Sequence, residues 1–185
     1  NMPDCFWKDL MILSSTYDYS MEMSTDTFFD SLKMICNKFN TSFSSVDNKN
    51  LYNEMAKSFL NLAPGQPAPD FKLPDSLGIE HSLSDYLGKV VYIDFWGTWC
   101  YPCIQEIPDA LKLQQEFEGK PVVFMYVAME YDEDDIANWK NFIAGKDKRF
   151  GEILNHEPFK GLHLVADKQT RNPKIAPYKI RYAPT

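Results

Sequence analysis

The stretch FWGTWCYPCIQEIP, Phe95 to Pro108, separates Cys100 from Cys103 by two residues, just after an apolar run and just before a helical spacing. Thiols so placed can hold a metal, staple the chain or pass electrons. Structural zinc takes about four ligands, as two such pairs or as one pair with two histidines. Here Cys5 and Cys36 are isolated, and His81, His156 and His163 show no ligand spacing. A purely structural disulfide is a poor reading as well, because linking positions this close removes little loop entropy. Redox exchange is the chemistry left. If Cys100 opens a helix, the unpaired N–H groups and the helix dipole favour its thiolate, a setting that lowers a cysteine pKa from about 8.5 to ~3.5–7.5. Cys100 is then the expected attacking sulfur. Cys103, almost one turn further in, is shielded and suited to resolve a mixed disulfide.

Two acids accompany the pair. Asp94 interrupts the apolar run VVYIDFW, where a carboxylate is expensive to keep ionised without a partner, so its pKa should be raised. Glu106 follows Cys103 by three residues, on the same helix face. Either acid could take the proton from Cys103 as it attacks. The plainer alternatives are a solvated Glu106 and an Asp94 that satisfies backbone groups. Trp96 reads as packing, and Trp99 as packing or as an apolar rim for a substrate. Tyr101 and Pro102, between the thiols, tune the helix start and the reduction potential. Pro108 reads as a kink.

The elements that would position these groups follow from spacing. KVVYIDFW and PVVFMYVAM are continuous apolar, β-branched and aromatic runs, as in strands covered on both faces. CIQEIPDALKLQQEF and DEDDIANWKNFIAG switch to helical spacing, the second with acids in its first turn and Gly145 near its end. Alternating strands and helices imply an α/β sandwich with a parallel pair at its centre. His163, in GLHL, is expected to face solvent. Residues 1–62 contain no glycine and read as a helical region, with stripes at Phe28, Leu32, Ile35 and Phe39 behind a cap at Ser24 or Thr25, and at Leu51, Met55, Phe59 and Leu62. Cys36 lies among the apolar positions and reads as a core thiol, or as the partner of Cys5. APGQPAPDFKLPDSLG, with four prolines and two glycines, forbids a continuous helix and sets a boundary near Ala63. The expected domains are 1–62 and 63–185.

The 185 residues are 44% hydrophobic, enough for one substantial core. A net charge of −7 argues against nucleic acid or an anionic membrane surface as main partner. No apolar run approaches the ~20 residues needed to span a bilayer. Asn1 before Met2 hints at a start that is not native, and an export signal could have been removed. MPDC lacks the small residues a lipid-attachment site at Cys5 would want.

KVVYIDFWGTWCYPC resembles the active-site strand and turn of thioredoxins. PGQPAPDFKLPDSLGIEHSLSDYLGK followed by EIP resembles the TlpA/ResA-like branch of extracytoplasmic thiol-disulfide oxidoreductases. The likeness covers Ala63 to Thr185. It implies a thioredoxin-like three-layer α/β/α sandwich, with Cys100 as nucleophile, Cys103 as resolving thiol, and Asp94 and Glu106 matching the family's acids near the thiols. YKIRYAPT resembles the stretch leading into the family's cis-proline loop. Pro184 would then carry the cis bond, and Ala183 and Thr185 would flank the disulfide and contact substrate, beside Trp99, Tyr101 and Pro102. The segment from Tyr131 to about Val165 sits where this branch carries an insertion. The resemblance also implies protein disulfide substrates, a separate electron donor, no cofactor or metal, and an exported, periplasmic or cell-envelope location. Two features depart from the pattern. The sequence stops at Thr185, before the two strands and final helix of the family, so residues are omitted or the sheet edge is exposed. The region before Ala63 has no role in the motif.

The reading is therefore a thiol-disulfide oxidoreductase, reductase rather than oxidase. Its rivals are a partner-binding module on the same scaffold, a copper carrier using the same thiols, and a peroxiredoxin-like peroxide reductase. The last is disfavoured because the proline and threonine upstream of a peroxidatic cysteine have no counterparts at matching positions.

Overall fold

The computed structural model describes residues 30, 33, 34, 37, 43, 45–150, 153, 154, 156–180 and 183. Cys5, Ser24, Thr25, Cys36, Pro184, Thr185 and the stripe at Phe28, Leu32, Ile35 and Phe39 lie outside the described residues. The chain divides into two compact units, Asn1–Ala68 and Pro69–Thr185.

In the first unit, α1 spans Val46–Leu60. Ser45 caps it by accepting the Asn48 N–H, and Asp47 and Lys57 sit at the ends where the helix dipole favours their charges. The buried positions of α1 are Tyr52 and Ala56, whereas Leu51 is 58% exposed. The expected stripe is thus displaced by one residue: the aromatic ring of Tyr52, packed 4.9 Å from Phe43, takes the inward place that hydrophobicity alone assigns to Leu51.

The second unit opens with a hairpin of β1 (Lys72–Pro74) and β2 (Glu80–Ser82). Asp75 closes its turn by accepting the Leu77 and Ile79 N–H groups, as short polar side chains do in turns. The central sheet follows in the order β3 (Val90–Trp96), β4 (Val122–Met129) and β5 (Leu162–Ala166), all parallel. Its crossovers carry α2 (Tyr101–Glu116) and α3 (Glu133–Ile143). α3 is capped by Asp132, which accepts the Asp134 and Asp135 N–H groups, and three acids occupy its first turn.

Register decides which residues share a face. Asp94, Tyr126 and His163 are Cα partners across the three strands, as are Trp96, Ala128 and Val165. Their face packs under α2 and α3 against Ile104, Ile107, Trp139 and Phe142. The opposite face, with Phe95, Met125, Val127 and Leu164, is covered by Phe71 and Leu73 of the hairpin side and by Ile175 and Ile180. With both faces covered, strands become apolar along their whole length, which is why β4 reads as an unbroken hydrophobic run.

His163 corrects the expectation that it faces solvent. β5 is covered on both faces, and His163 is 8% exposed, stacked on Tyr126 with ring centres 5.2 Å apart. Burial pushes its pKa down to about 4, so the imidazole is neutral at pH 7. Its Nε2 lies 2.8 Å from the Phe159 carbonyl, which can only accept, so the proton sits on Nε2.

Gly161 precedes β5 at a φ of 131°, and a Cβ there would stand 2.5 Å from Cε2 of Tyr126. Glycine is required twice over, by conformation and by the close approach of the ring. Gly161→Ala should lower stability by about 1–3 kcal/mol in urea unfolding. An unchanged midpoint would show that the Tyr126 ring does not rest on this backbone.

Candidate functional site

Between Trp96, the last residue of β3, and Tyr101, the first of α2, the backbone changes from extended to helical within four residues. Cys100 is the N-cap: its N–H donates to the Gly97 carbonyl, its carbonyl accepts the Ile104 N–H, and its sulfur accepts the Cys103 N–H at 3.3 Å. Sulfur thus meets one of the helix's orphan donors. Pro102 sits in the first turn, where a missing N–H forfeits no hydrogen bond. Cys100 and Cys103 are joined by a disulfide, and both are buried.

The turn is braced from β4. Glu130, immediately after that strand, is fully buried; its carboxylate accepts the Thr98 backbone N–H at 2.9 Å and the Thr98 hydroxyl at 3.1 Å. Trp99 folds its indole over Gly97, where a Cβ would lie 2.5 Å from Nε1, and donates that N–H to the Met129 carbonyl at 2.7 Å. Trp99 is 42% exposed, and its ring lies 6.0 Å, centre to centre, from that of Tyr131. With the exposed Tyr101 and Pro102, these rings form an aromatic rim beside the disulfide.

On β3, two residues before Trp96, burial pushes the pKa of the half-buried Asp94 up to about 6, with a further push from the charge of Glu106. Glu106 itself is exposed on α2. Tyr92 is raised by burial and then by Asp94 and Glu106, so the three share one side of β3 and α2. Trp96 is packing, 1% exposed and against Phe142 and Phe159. Ala183 is half-buried against both apolar faces. Of the expected site residues, Trp99, Cys100, Tyr101, Pro102 and Cys103 lie on the turn and in the first turn of α2, Asp94 lies on β3 within reach of the charge of Glu106, and Pro184 and Thr185 lie outside the described residues. Among the described residues, no three His, Cys, Asp or Glu side chains converge as metal ligands.

The spacing of the motif does not reveal Glu130 or Thr98, which meet across 32 positions. One signal was present: an acid flush with the end of a fully apolar run, VVFMYVAME, must be buried with it. Burial pushes the Glu130 pKa up to about 7, against the two hydrogen bonds from Thr98, which lower it.

Comparison with known proteins places this geometry. Residues 64–170 match the model of the AhpC/TSA family. The chain belongs to that family. It is a thioredoxin-fold protein of the TlpA/ResA-like kind. It is 46% identical over 74 residues to the thioredoxin-like protein YneN of Bacillus subtilis (strain 168), covering 40% of this chain and 44% of that one. It is 60% identical over 66 residues to the thiol-disulfide oxidoreductase ResA of Geobacillus kaustophilus (strain HTA426), covering 36% and 38%. A crystal structure assigned as a thiol-disulfide oxidoreductase from Bacteroides vulgatus superposes with a TM-score of 0.52 at 32% identity, covering 67% of this chain and 76% of that one. The chain spans about half the length of the curated relatives it matches.

Glu130 makes a test through pH. Its folded-state pKa is raised from 4.5 to about 7, so its contribution to stability is full below pH 4.5 and is lost as pH rises through 7. Relative to Glu130→Gln, which keeps the bond from the Thr98 N–H, the natural protein should lose on the order of 2–3 kcal/mol between pH 4.5 and 8. Urea unfolding of both proteins at the two pH values measures this. A difference that does not vary with pH would mean that Glu130 is not held as a buried acid under the turn.

Proposed function

We propose that the chain is a thiol-disulfide oxidoreductase acting on protein substrates, a reductase in its usual direction. The single observation that carries the reading is the bonded Cys100–Cys103 pair at the N-terminus of α2; the half-buried Asp94 of the preceding strand, its pKa pushed up to about 6, is the acid that would serve it. The named activity of the ResA relatives and of the Bacteroides vulgatus structure supports it.

In the reduced protein, the Cys100 thiolate attacks one sulfur of a substrate disulfide and forms a mixed disulfide, and the displaced substrate sulfur takes a proton. Cys103 then gives its proton to Asp94 and bonds to the Cys100 sulfur, which breaks the mixed disulfide and releases the second substrate sulfur. Two electrons have passed to the substrate and the pair is oxidised. An external dithiol donor resets it. Glu106 tunes the acidity of Asp94, and Glu130 holds the turn through Thr98.

Trp99, Tyr101 and Pro102 form the docking rim, and the family resemblance adds Ala183, Pro184 and Thr185 as substrate contacts, with the family's cis-proline at position 184. Residues 63–185 are the redox domain and residues 1–62 a separate helical region. The protein works outside the cytoplasm, in the periplasm or cell envelope, in keeping with the ResA-like resemblance. No helix among the described residues is long and apolar enough to cross a membrane.

Reduction of insulin disulfides by the dithiol form, followed by turbidity, tests this directly. Cys100→Ser should abolish the activity, and Cys103→Ser should accumulate a covalent mixed disulfide with the substrate, visible on a non-reducing gel. Equal activity in Cys100→Ser would refute the mechanism.

A further inference from the structure

The row formed by Asp94, Tyr126 and His163 carries three titratable side chains, where the next row on the same face, Trp96, Ala128 and Val165, is apolar. Adjacent strands in register put these side chains side by side under α2. Tyr126 is 0% exposed, and its hydroxyl has no hydrogen-bond partner among the described residues. A buried hydroxyl left so is costly and uncommon. Its ring cannot swing away, because Phe159 and His163 hold it at 4.5 and 5.2 Å and Gly161 touches its edge. On the neighbouring strand, Asp94 makes no hydrogen bond to a described group; its acidity is set by burial and by Glu106. A donor without an acceptor therefore stands in register with an acceptor without a donor.

We propose that Tyr126 is a positioning residue for Asp94: its hydroxyl donates to the carboxylate through one bridging water molecule, and holds Asp94 in the ionised form that accepts the Cys103 proton. This rests on the oxidoreductase reading for its consequence in catalysis, though not for the pairing itself. In the resolving step, the proton leaves Cys103 for Asp94 as the Cys103–Cys100 bond forms. The bond from Cys100 to the substrate breaks, and its electron pair leaves on the substrate sulfur. Tyr126 keeps its own proton throughout. Burial, with Asp94 and Tyr92 adding to it, drives the phenol well above its ordinary pKa of 10.0, so the hydroxyl remains a donor at every working pH.

The surroundings leave Asp94 as the acceptor. From α2, Glu106 and Cys103 face this region; from β3, Tyr92 does; from α3 and the segment before β5, Trp139, Phe142 and Phe159 are apolar walls. His163 is neutral, and its free Nδ1 accepts only in the plane of the imidazole. Tyr126 lies over the face of that ring, with 16° between the planes, where no such bond can form.

Carbon-13 NMR titration of the Asp94 carboxyl, together with the pH profile of insulin reduction, tests the pairing in the whole chain. Tyr126→Phe removes the donor, so the Asp94 midpoint should rise by about half to one pH unit, and the acid limb of activity should rise with it. A 3-fluorotyrosine at position 126, a stronger donor of nearly the same shape, should move both the other way, and it serves even if the Phe variant folds poorly. In an Asp94→Asn background, Tyr126→Phe should no longer move the acid limb. An Asp94 midpoint unmoved by either substitution would overturn the inference, as would an activity shift that persists without Asp94. A shifted Asp94 in a protein that exchanges no disulfide would keep the pairing and overturn the oxidoreductase reading instead.

Discussion

Every functional group found here hangs from the four-residue change of direction between Trp96 and Tyr101. A strand covered on both faces must deliver its chain to a helix on one of them, and the first helical N–H groups have no partner inside the helix. Cys100 fills that place. Its sulfur accepts the Cys103 N–H, so the same geometry that caps α2 brings the second cysteine of the motif within bonding reach. A thiolate at this position would accept such hydrogen bonds more strongly than a thiol and would also gain from the helix dipole. Cap, nucleophile and disulfide partner are thus consequences of one local arrangement.

The two raised-pKa acids near this turn, Glu130 fully buried and Asp94 half-buried, differ in how they are satisfied, and that difference separates their roles. Glu130 is fully enclosed, but both its oxygens accept hydrogen bonds from Thr98. It fixes the backbone just before Trp99 and Cys100, and its charge state matters to the turn's stability. Asp94 accepts no hydrogen bond from the turn, and its acidity is set by burial and by the charge of Glu106. Both are pushed upward chiefly by burial, the expected effect of removing a carboxylate from water. The aromatic rim of Trp99, Tyr101 and Tyr131 then offers an apolar approach to a disulfide whose sulfurs are themselves buried.

Sequence legibility followed the range of the interactions. The strands KVVYIDFW and PVVFMYVAM and the helix between them depend on spacing within each segment, and the structure shows each of them within a residue or two of its expected bounds; their alternation implied the parallel pair. Asp94 was legible because a charge inside an apolar strand contradicts its surroundings. His163 was misread because one charged-capable residue among aliphatics looks like an exposed position unless the covering of both faces of β5 is known. Leu51 yielded to Tyr52 on α1 because two adjacent apolar residues leave the helix phase ambiguous, and tertiary packing chose the aromatic. Glu130 with Thr98, and Tyr126 beside Asp94, depend on the registers of separate strands. A single chain with no alignment carries no local trace of those pairings.

Ionisation of Cys100 by the start of α2 is the premise beneath the whole chemistry, and it can be observed thiol by thiol. The reduced protein would be pulsed with iodoacetamide across a pH series, and alkylation at each cysteine read by mass spectrometry. Cys100 should react with a midpoint between ~3.5 and 7.5, while Cys103 stays protected over the same range. A Cys100 midpoint at the ordinary value of about 8.5 or above, or a Cys103 that reacts first, would contradict the premise.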